Sequence, residues 1–157
     1  ELKKKKLVEK ILDFLNLNKP LLGICLGMQL LFEKSYEYGV HDGLGIIQGN
    51  VVPILDKANI NENIKVPHIG WNILNFEEKI ESNCINYDYF LDKKKYVYFV
   101  HSYIAIPKTK SFLIAHTIYG KKKIPAIVGK DNVIGCQFHP EKSGEIGLEI
   151  IRSFCEN

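Results

Sequence analysis

The sequence predicts an α/β fold, an open sheet flanked by helices with an antiparallel extension, and three observations carry that prediction. A short apolar run, Pro20-Leu21-Leu22-Gly23-Ile24, passes into a helical pattern with no linker between them. Amphipathic helical spacing marks the segments near both ends of the chain. The middle holds segments rich in Ile, Val, Tyr and Phe, bounded by turn residues.

Taken in order, Leu7, Val8, Ile11, Leu12 and Leu15 share one helical face with lysines and Glu9 opposite, which predicts a helix over 7–15. The run from Pro20 to Ile24 has the uninterrupted apolar pattern of a strand buried on both faces. Leu26 to Glu33 reads as a helix beginning directly after Cys25. Residues 46–54, 69–76, 96–106, 112–119, 124–130 and 132–138 read as strands, with residues 119–123 linking two of them. From Ser143 onward, Ile146, Leu148, Ile150, Ile151 and Phe154 predict a closing amphipathic helix.

The 157 residues suit one domain, since domains commonly run to about 100–200 residues. A formal charge of +3 is too small to argue for a nucleic-acid partner, and of the 21 basic residues only Arg152 is arginine. The planar guanidinium fork is the usual reader of phosphates and bases, so its near absence points the same way. No 7–15-residue apolar run follows the lysines at 3–6, and no stretch approaches 18 apolar residues. The expectation is a cytoplasmic protein with no membrane partner. Cys25, Cys84, Cys136 and Cys155 are widely spaced, which argues for thiols rather than a disulfide framework.

Gly23-Ile24-Cys25-Leu26-Gly27 is the sharpest local feature. Glycines two residues either side of a nucleophile permit a tight strand-to-helix elbow that projects the side chain. The following helix aims free N–H groups at the sulfur and favours the thiolate, and the Leu26 amide is a natural oxyanion donor. An isolated cysteine is more often a buried structural thiol; the flanking glycines turn the balance to the elbow. Among the five histidines only His139 has an acid supplied by local geometry, in Gln137-Phe138-His139-Pro140-Glu141. Pro140 biases His139 toward an extended conformation, where residues two apart share a face. Glu141 can then bond one imidazole nitrogen and leave the other for Cys25, giving a Cys-His-Glu triad.

The spacing of Cys136 and His139 suggests a metal, but strand residues three apart face opposite ways and no second ligand pair exists. No metal is expected, and the lack of a G-x-G-x-x-G or Walker pattern predicts no nucleotide cofactor. His68 reads as a satisfied loop histidine and His116 as core. His41 and Asp42 lie in a Gly-rich loop, and the lysines at 3–6, 93–95 and 121–123 read as solvated faces.

Pro20 through Gln29 together with Gln137 through Glu141 resembles the class I (triad) glutamine amidotransferases. Gly43-Leu44-Gly45, Pro67-His68-Ile69-Gly70-Trp71-Asn72, Tyr98-Phe99-Val100-His101-Ser102-Tyr103 and Pro140 through Ser143 narrow the likeness to the glutaminase subunits of imidazole glycerol phosphate synthase. The resemblance runs along the whole chain and implies a flavodoxin-like open sheet. It implies that Cys25 attacks the carboxamide of L-glutamine, that His139 moves the protons and that Glu141 orients it. It implies glutamine contacts at Gln29, Glu37, His101, Ser102 and Tyr103. It also implies that ammonia passes to a (β/α)₈-barrel cyclase subunit in histidine biosynthesis, with His68, Trp71, Asn72 and Lys142 at or near the contact. A core tryptophan is the competing reading of Trp71.

Members of that family carry strand–helix structure ahead of the elbow, ending in a Gly-rich loop that gives a second oxyanion donor. Two missing units of about 30 residues each would account for the early position of Cys25. The expectation is therefore that residues 1–157 form a single but partial amidotransferase domain lacking N-terminal strands. Loss of one oxyanion donor costs roughly 10²–10³ in rate, so an inactive interaction module is one rival reading. A glutaminase serving a surface-sugar amidotransferase is another. A cysteine peptidase or γ-glutamyl hydrolase would leave the Trp71 and His101 blocks without a role.

Overall fold

The computed structural model describes residues 6–55, 64–77 and 95–156. Cys84, the lysines at 3–5 and Lys93 and Lys94 lie outside the described residues. Strand β1 (Leu21–Ile24) runs parallel to β11 (Val133–Cys136), pairing Leu21 with Val133 and Ile24 with Cys136. Antiparallel β10 (Lys122–Lys130) and β9 (Leu113–Tyr119) extend this sheet, and β6 (Asn75–Phe76) completes the order β1-β11-β10-β9-β6. A second sheet, β3-β2-β4-β8, is built from His41–Asp42, Phe32–Ser35, Ile47–Pro53 and Tyr103–Pro107. A third pairs β5 (His68–Ile73) with β7 (Tyr96–His101) in antiparallel register.

Strand alternation divides the core between the two faces of the five-stranded sheet. Ile127, Ile134 and Cys136 face one cluster with Val97, Phe99, Phe138 and Ile150. Val128 and Val133 face the other with Met28, Leu31, Phe32, Ile47 and Val51. Because both faces are covered, β10 is buried without interruption from Ile124 to Gly129. Helix α3 (Gly144–Cys155) caps the first face through Ile150, with Ile146 and Phe154 packed alongside. Helix α2 (Leu26–Leu30) lies on the second, seated by Met28 over Gly135. Helix α1 (Leu7–Asn16) buries no residue fully and touches that cluster through Leu15.

Several boundaries differ from the sequence reading. The helix expected over Leu26–Glu33 ends at Leu30, and Phe32 and Glu33 belong to β2. Leu31 and Phe32 are both fully buried apolar residues, a pattern that serves helix and strand alike, and pairing of Phe32 with Ile47 decides for the strand. Residues 69–76 break at Leu74 and residues 96–106 at Ser102, each break moving the chain to another sheet. Leu21, Leu22 and Ile24 are only half-buried, because β1 pairs with β11 alone among the described residues. The loop expected at His41 and Asp42 is the short strand β3, paired with Ser35 and Lys34.

The two glycines of the elbow are not equivalent. A Cβ on Gly23 would sit 2.8 Å from the Gly27 carbonyl and 2.9 Å from the Met28 nitrogen, so strand and helix touch here backbone to backbone. A Cβ on Gly27 would meet nothing within 4 Å. Gly23→Ala should therefore lose at least about 1–3 kcal/mol through overpacking. Gly27→Ala should hold or gain stability, since Ala is favoured over Gly in a helix by about 1 kcal/mol. Urea midpoints of the two variants test this, and equal losses would contradict it.

Candidate active site

The site forms where β1 and β11 end side by side. The Cys25 N–H donates to the Cys136 carbonyl at 2.7 Å, the last bond of the parallel ladder. The Cys25 carbonyl accepts from Gln29 N–H at 3.2 Å, the first bond of α2. Cys25 closes the strand and opens the helix at once, and it does so at φ 50°, ψ −107°, outside the regions that L-residues ordinarily occupy. Such a conformation persists only where the surroundings enforce it.

Past Cys136, Gln137 donates its N–H to the Ala126 carbonyl at 2.9 Å and still follows β10. His139 then donates to the Tyr98 carbonyl of β7 at 2.9 Å. The Ser143 hydroxyl donates to the His139 carbonyl at 2.6 Å and accepts from the Tyr98 N–H at 3.0 Å. Ser143 is 2% exposed, so this clamp is shielded from water. His139 Nδ1 lies 2.7 Å from Glu141 Oε1. The pairing is as expected but the local geometry is not: Pro140–Lys142 form a 3₁₀ turn, and only His139 is extended.

Burial pushes the Cys25 thiol up from its ordinary value, the Leu26 amide draws it down, the Glu141 and Glu37 charges raise it and the Gln137 side chain lowers it; the net direction is upward. The expected thiolate preference is thus reversed. Helix α2 is only five residues long, so its dipole is small beside burial and two nearby carboxylates. Partial burial pushes the Glu141 carboxyl up, but the His139 bond, its own amide and the His139 and Lys142 charges outweigh this and hold it low. Burial, then Glu141 and Cys25, raise Cys136, which stays a thiol in the core. Cys155 is exposed.

Gln29 is buried, its Nε2 donating to the Tyr103 carbonyl at 3.2 Å and to Gln137 Oε1 at 3.1 Å. Glu37 is half-buried and close enough to act on the thiol. Ser102 links β7 to β8 and accepts from the Ile54 N–H. Leu26 is 59% exposed at the mouth of the elbow. His68, expected in a loop, is a buried strand residue, its ring stacked between Phe99 and Tyr119 at centroid distances of 4.8 and 4.0 Å. His116, expected in the core, is half-buried with Nδ1 2.6 Å from Glu77, which also pairs with Lys123 at 2.7 Å. Lys95, expected on a solvated face, is 2% exposed, with its ammonium 4.7 Å from the centre of the Phe76 ring.

Of the four expected interface side chains, two face outward and two do not. Trp71 is 56% exposed, edge-on to Tyr98, and Lys142 is exposed. His68 points inward, while Asn72 donates to the Ile118 carbonyl and accepts from the Ile73 N–H. Sequence reading missed Ile69 and Tyr96, 57% and 51% exposed. Strand alternation could have found them, since Ile69 and Ile73 share the Trp71 face and Tyr96 pairs with Ile73.

Residues 3–157 match the family model for glutamine amidotransferase class-I. The chain belongs to this family. Imidazole glycerol phosphate synthase subunit HisH of Lactococcus lactis subsp. lactis (strain IL1403) is 50% identical over 155 residues, covering 99% of this chain and 71% of that protein. The subunit of the same name from Caldanaerobacter subterraneus subsp. tengcongensis is 50% identical over 153 residues, covering 96% and 68%. A glutamine amidotransferase crystal structure superposes with TM-score 0.65 at 16% identity, over 99% of this chain and 69% of that one. A glutamine amidotransferase from Thermotoga maritima gives 0.57 at 18% identity, over 99% and 57%. These structures share the fold. Among the described residues no helix is long and apolar enough to cross a membrane.

Burial holds the His68 and His101 imidazoles down to about 4, repulsion by the His101 charge adding to the first and the Tyr103 carbonyl partly offsetting the second. Both are neutral at pH 7, whereas an unfolded histidine titrates near 6.5. Between those values the unfolded chain binds protons that the folded chain refuses, so stability falls as pH drops from about 6.5 toward 4. The melting temperature should begin to fall above the carboxylate range. A value constant from pH 7 to pH 5 would contradict this.

Proposed function

We propose that the chain is the glutamine-hydrolysing part of an imidazole glycerol phosphate synthase, acting through Cys25, His139 and Glu141. The observation that carries this reading is the strained Cys25 elbow beside the end of the strand that presents the His139–Glu141 pair. Family membership and the named relatives support it.

In this reading the thiol is protonated at rest, because burial and two carboxylates disfavour its anion. Deprotonation is then coupled to attack. As Sγ adds to the side-chain carboxamide carbon of glutamine, His139 takes the thiol proton and Glu141 supports the imidazolium at Nδ1. The Leu26 amide donates to the oxyanion. Collapse breaks the C–N bond, His139 returns the proton to the departing nitrogen, and ammonia leaves a γ-glutamyl thioester. Water, deprotonated by His139, adds to the thioester, and glutamate departs as the thiol is restored. The family likeness assigns glutamine contacts to the segments carrying Gln29, Glu37 and His101 to Tyr103; the Gln29 and His101 side chains themselves are buried and bonded inside.

The ammonia passes to a (β/α)₈-barrel cyclase. Ile69, Trp71 and Tyr96 form an apolar outer face on β5 and β7, and Lys142 adds a charge, which suits a protein partner. That same strand β7 clamps His139 through Tyr98, so docking and proton transfer share one element.

Glutamate release should be measured with the cyclase bound. Cys25→Ala and His139→Asn should each lower kcat by about 10⁴ or more, and the double variant should lose no further activity. Trp71→Asp should weaken cyclase binding by about tenfold or more while leaving Cys25 alkylation unchanged. Full activity in Cys25→Ala, or stimulation by a surface-sugar synthase and not by the cyclase, would overturn this reading.

A further inference from the structure

A continuous line of hydrogen bonds runs through the interior from β5 to the Cys25 sulfur. His68 Nδ1 and His101 Nε2 are 2.9 Å apart, and His101 Nδ1 is 2.9 Å from the Tyr103 carbonyl. The same carbonyl accepts from Gln29 Nε2, which also donates to Gln137 Oε1. Gln137 Nε2 then lies 3.7 Å from Cys25 Sγ. Gln137 is fully buried, and Gln29, His68 and His101 are between 2% and 8% exposed.

The direction of every bond in this line follows from one group. A carbonyl oxygen can only accept, so His101 carries its proton on Nδ1 and its Nε2 accepts from His68. Gln29 must also present its NH₂ to that oxygen, since the flipped amide would set two acceptors together. Its NH₂ meets Gln137, which must answer with Oε1. That leaves the Gln137 NH₂, and no acceptor, against the sulfur. Reversing Gln137 would oppose two donors between two buried side chains, a costly arrangement.

We propose that Gln137 is a further catalytic residue: its N–H, aimed by Gln29 and the Tyr103 carbonyl, donates to the Cys25 sulfur and stabilises the thiolate as it forms. The inference rests on Cys25 being the nucleophile. Gln29 and His101 are positioning residues that act through Gln137. The other groups acting on the sulfur are the Leu26 amide, which favours the anion, and the Glu141 and Glu37 carboxylates, which oppose it; His139 lies at the end of the neighbouring strand. Gln137 is thus the one side-chain donor to the sulfur among the described residues that remains neutral at every working pH. Residues 137, 139 and 141 repeat at intervals of two, and the first of these is the member that sequence reading left without a role.

The test is Cys25 alkylation by iodoacetamide from pH 6 to 10, followed by peptide mass spectrometry so that the other thiols are scored separately. Gln137→Leu should raise the apparent pKa of Cys25 by up to about one unit and slow alkylation at pH 7.5 by about three- to tenfold. Gln137→Glu, which puts an anion against the sulfur, should raise it further. Gln29→Leu, which frees the Gln137 amide to turn, should shift the profile in the same direction by less, and it decides the matter if Gln137 variants do not fold. A folded Gln137→Leu or Gln29→Leu protein whose profile superimposes on the wild type overturns the proposal. Glutamine hydrolysis is assayed in parallel. A shifted profile in a protein whose wild type hydrolyses no glutamine leaves the sulfur contact standing and removes the functional reading.

Discussion

The single backbone bond from Cys25 to the Cys136 carbonyl is the constraint on which the site depends. It holds the last residue of one strand against its parallel neighbour at the moment the chain must turn into a helix. The turn is made here with Cys25 at a positive φ, and with no side chain on Gly23 to meet the backbone beneath. The projecting sulfur, the amide beside it and the approach of the histidine segment all follow from that one register. A slip of the β1–β11 pair by a single residue would turn every side chain of β1 to the opposite face and separate the cysteine from its partners.

His139 has a different kind of support. Its segment leaves the sheet and is caught by β7, with Ser143 bridging the His139 carbonyl and the Tyr98 amide. Helix α3 begins at that clamp, and its close fit explains Gly147, where a Cβ would collide with the Pro140 carbonyl. Cys25 is therefore fixed by one sheet and His139 by the seam between two, so their separation is set by how the sheets pack. In this member of the class-I glutamine amidotransferase family, burial and the nearby carboxylates push the Cys25 thiol up, and the backbone bond to β7 fixes where His139 sits.

Local features were legible in the sequence because local chemistry decides them. The Gly23–Gly27 junction, the His139–Glu141 pair and the helix after Ser143 depend on neighbours within a few residues. The strands at 46–54 and 112–119 were legible because β-branched residues fill pleated surfaces. What stayed hidden is nonlocal. The end of α2 at Leu30 is settled by pairing with Ile47, and the breaks at Leu74 and Ser102 by which sheet accepts the chain next. The resting charge of the thiol depends on Glu37, Glu141 and burial, none of which a helix-dipole argument contains. His116 was misread because its partner, Glu77, lies on a segment 39 residues away.

Trp71 is the only tryptophan in the chain, and its indole stands more than half exposed beside Tyr98 on the outer face of β5 and β7. Its fluorescence therefore comes from a single, known place, paired through β5 with Tyr98, whose carbonyl holds His139. An indole leaving water for an apolar contact shifts its emission to shorter wavelength, so the protein carries a built-in optical gauge of whether that face is covered. No dye or engineered label is needed to read that face, and within residues 1–157 no other tryptophan adds background to the signal.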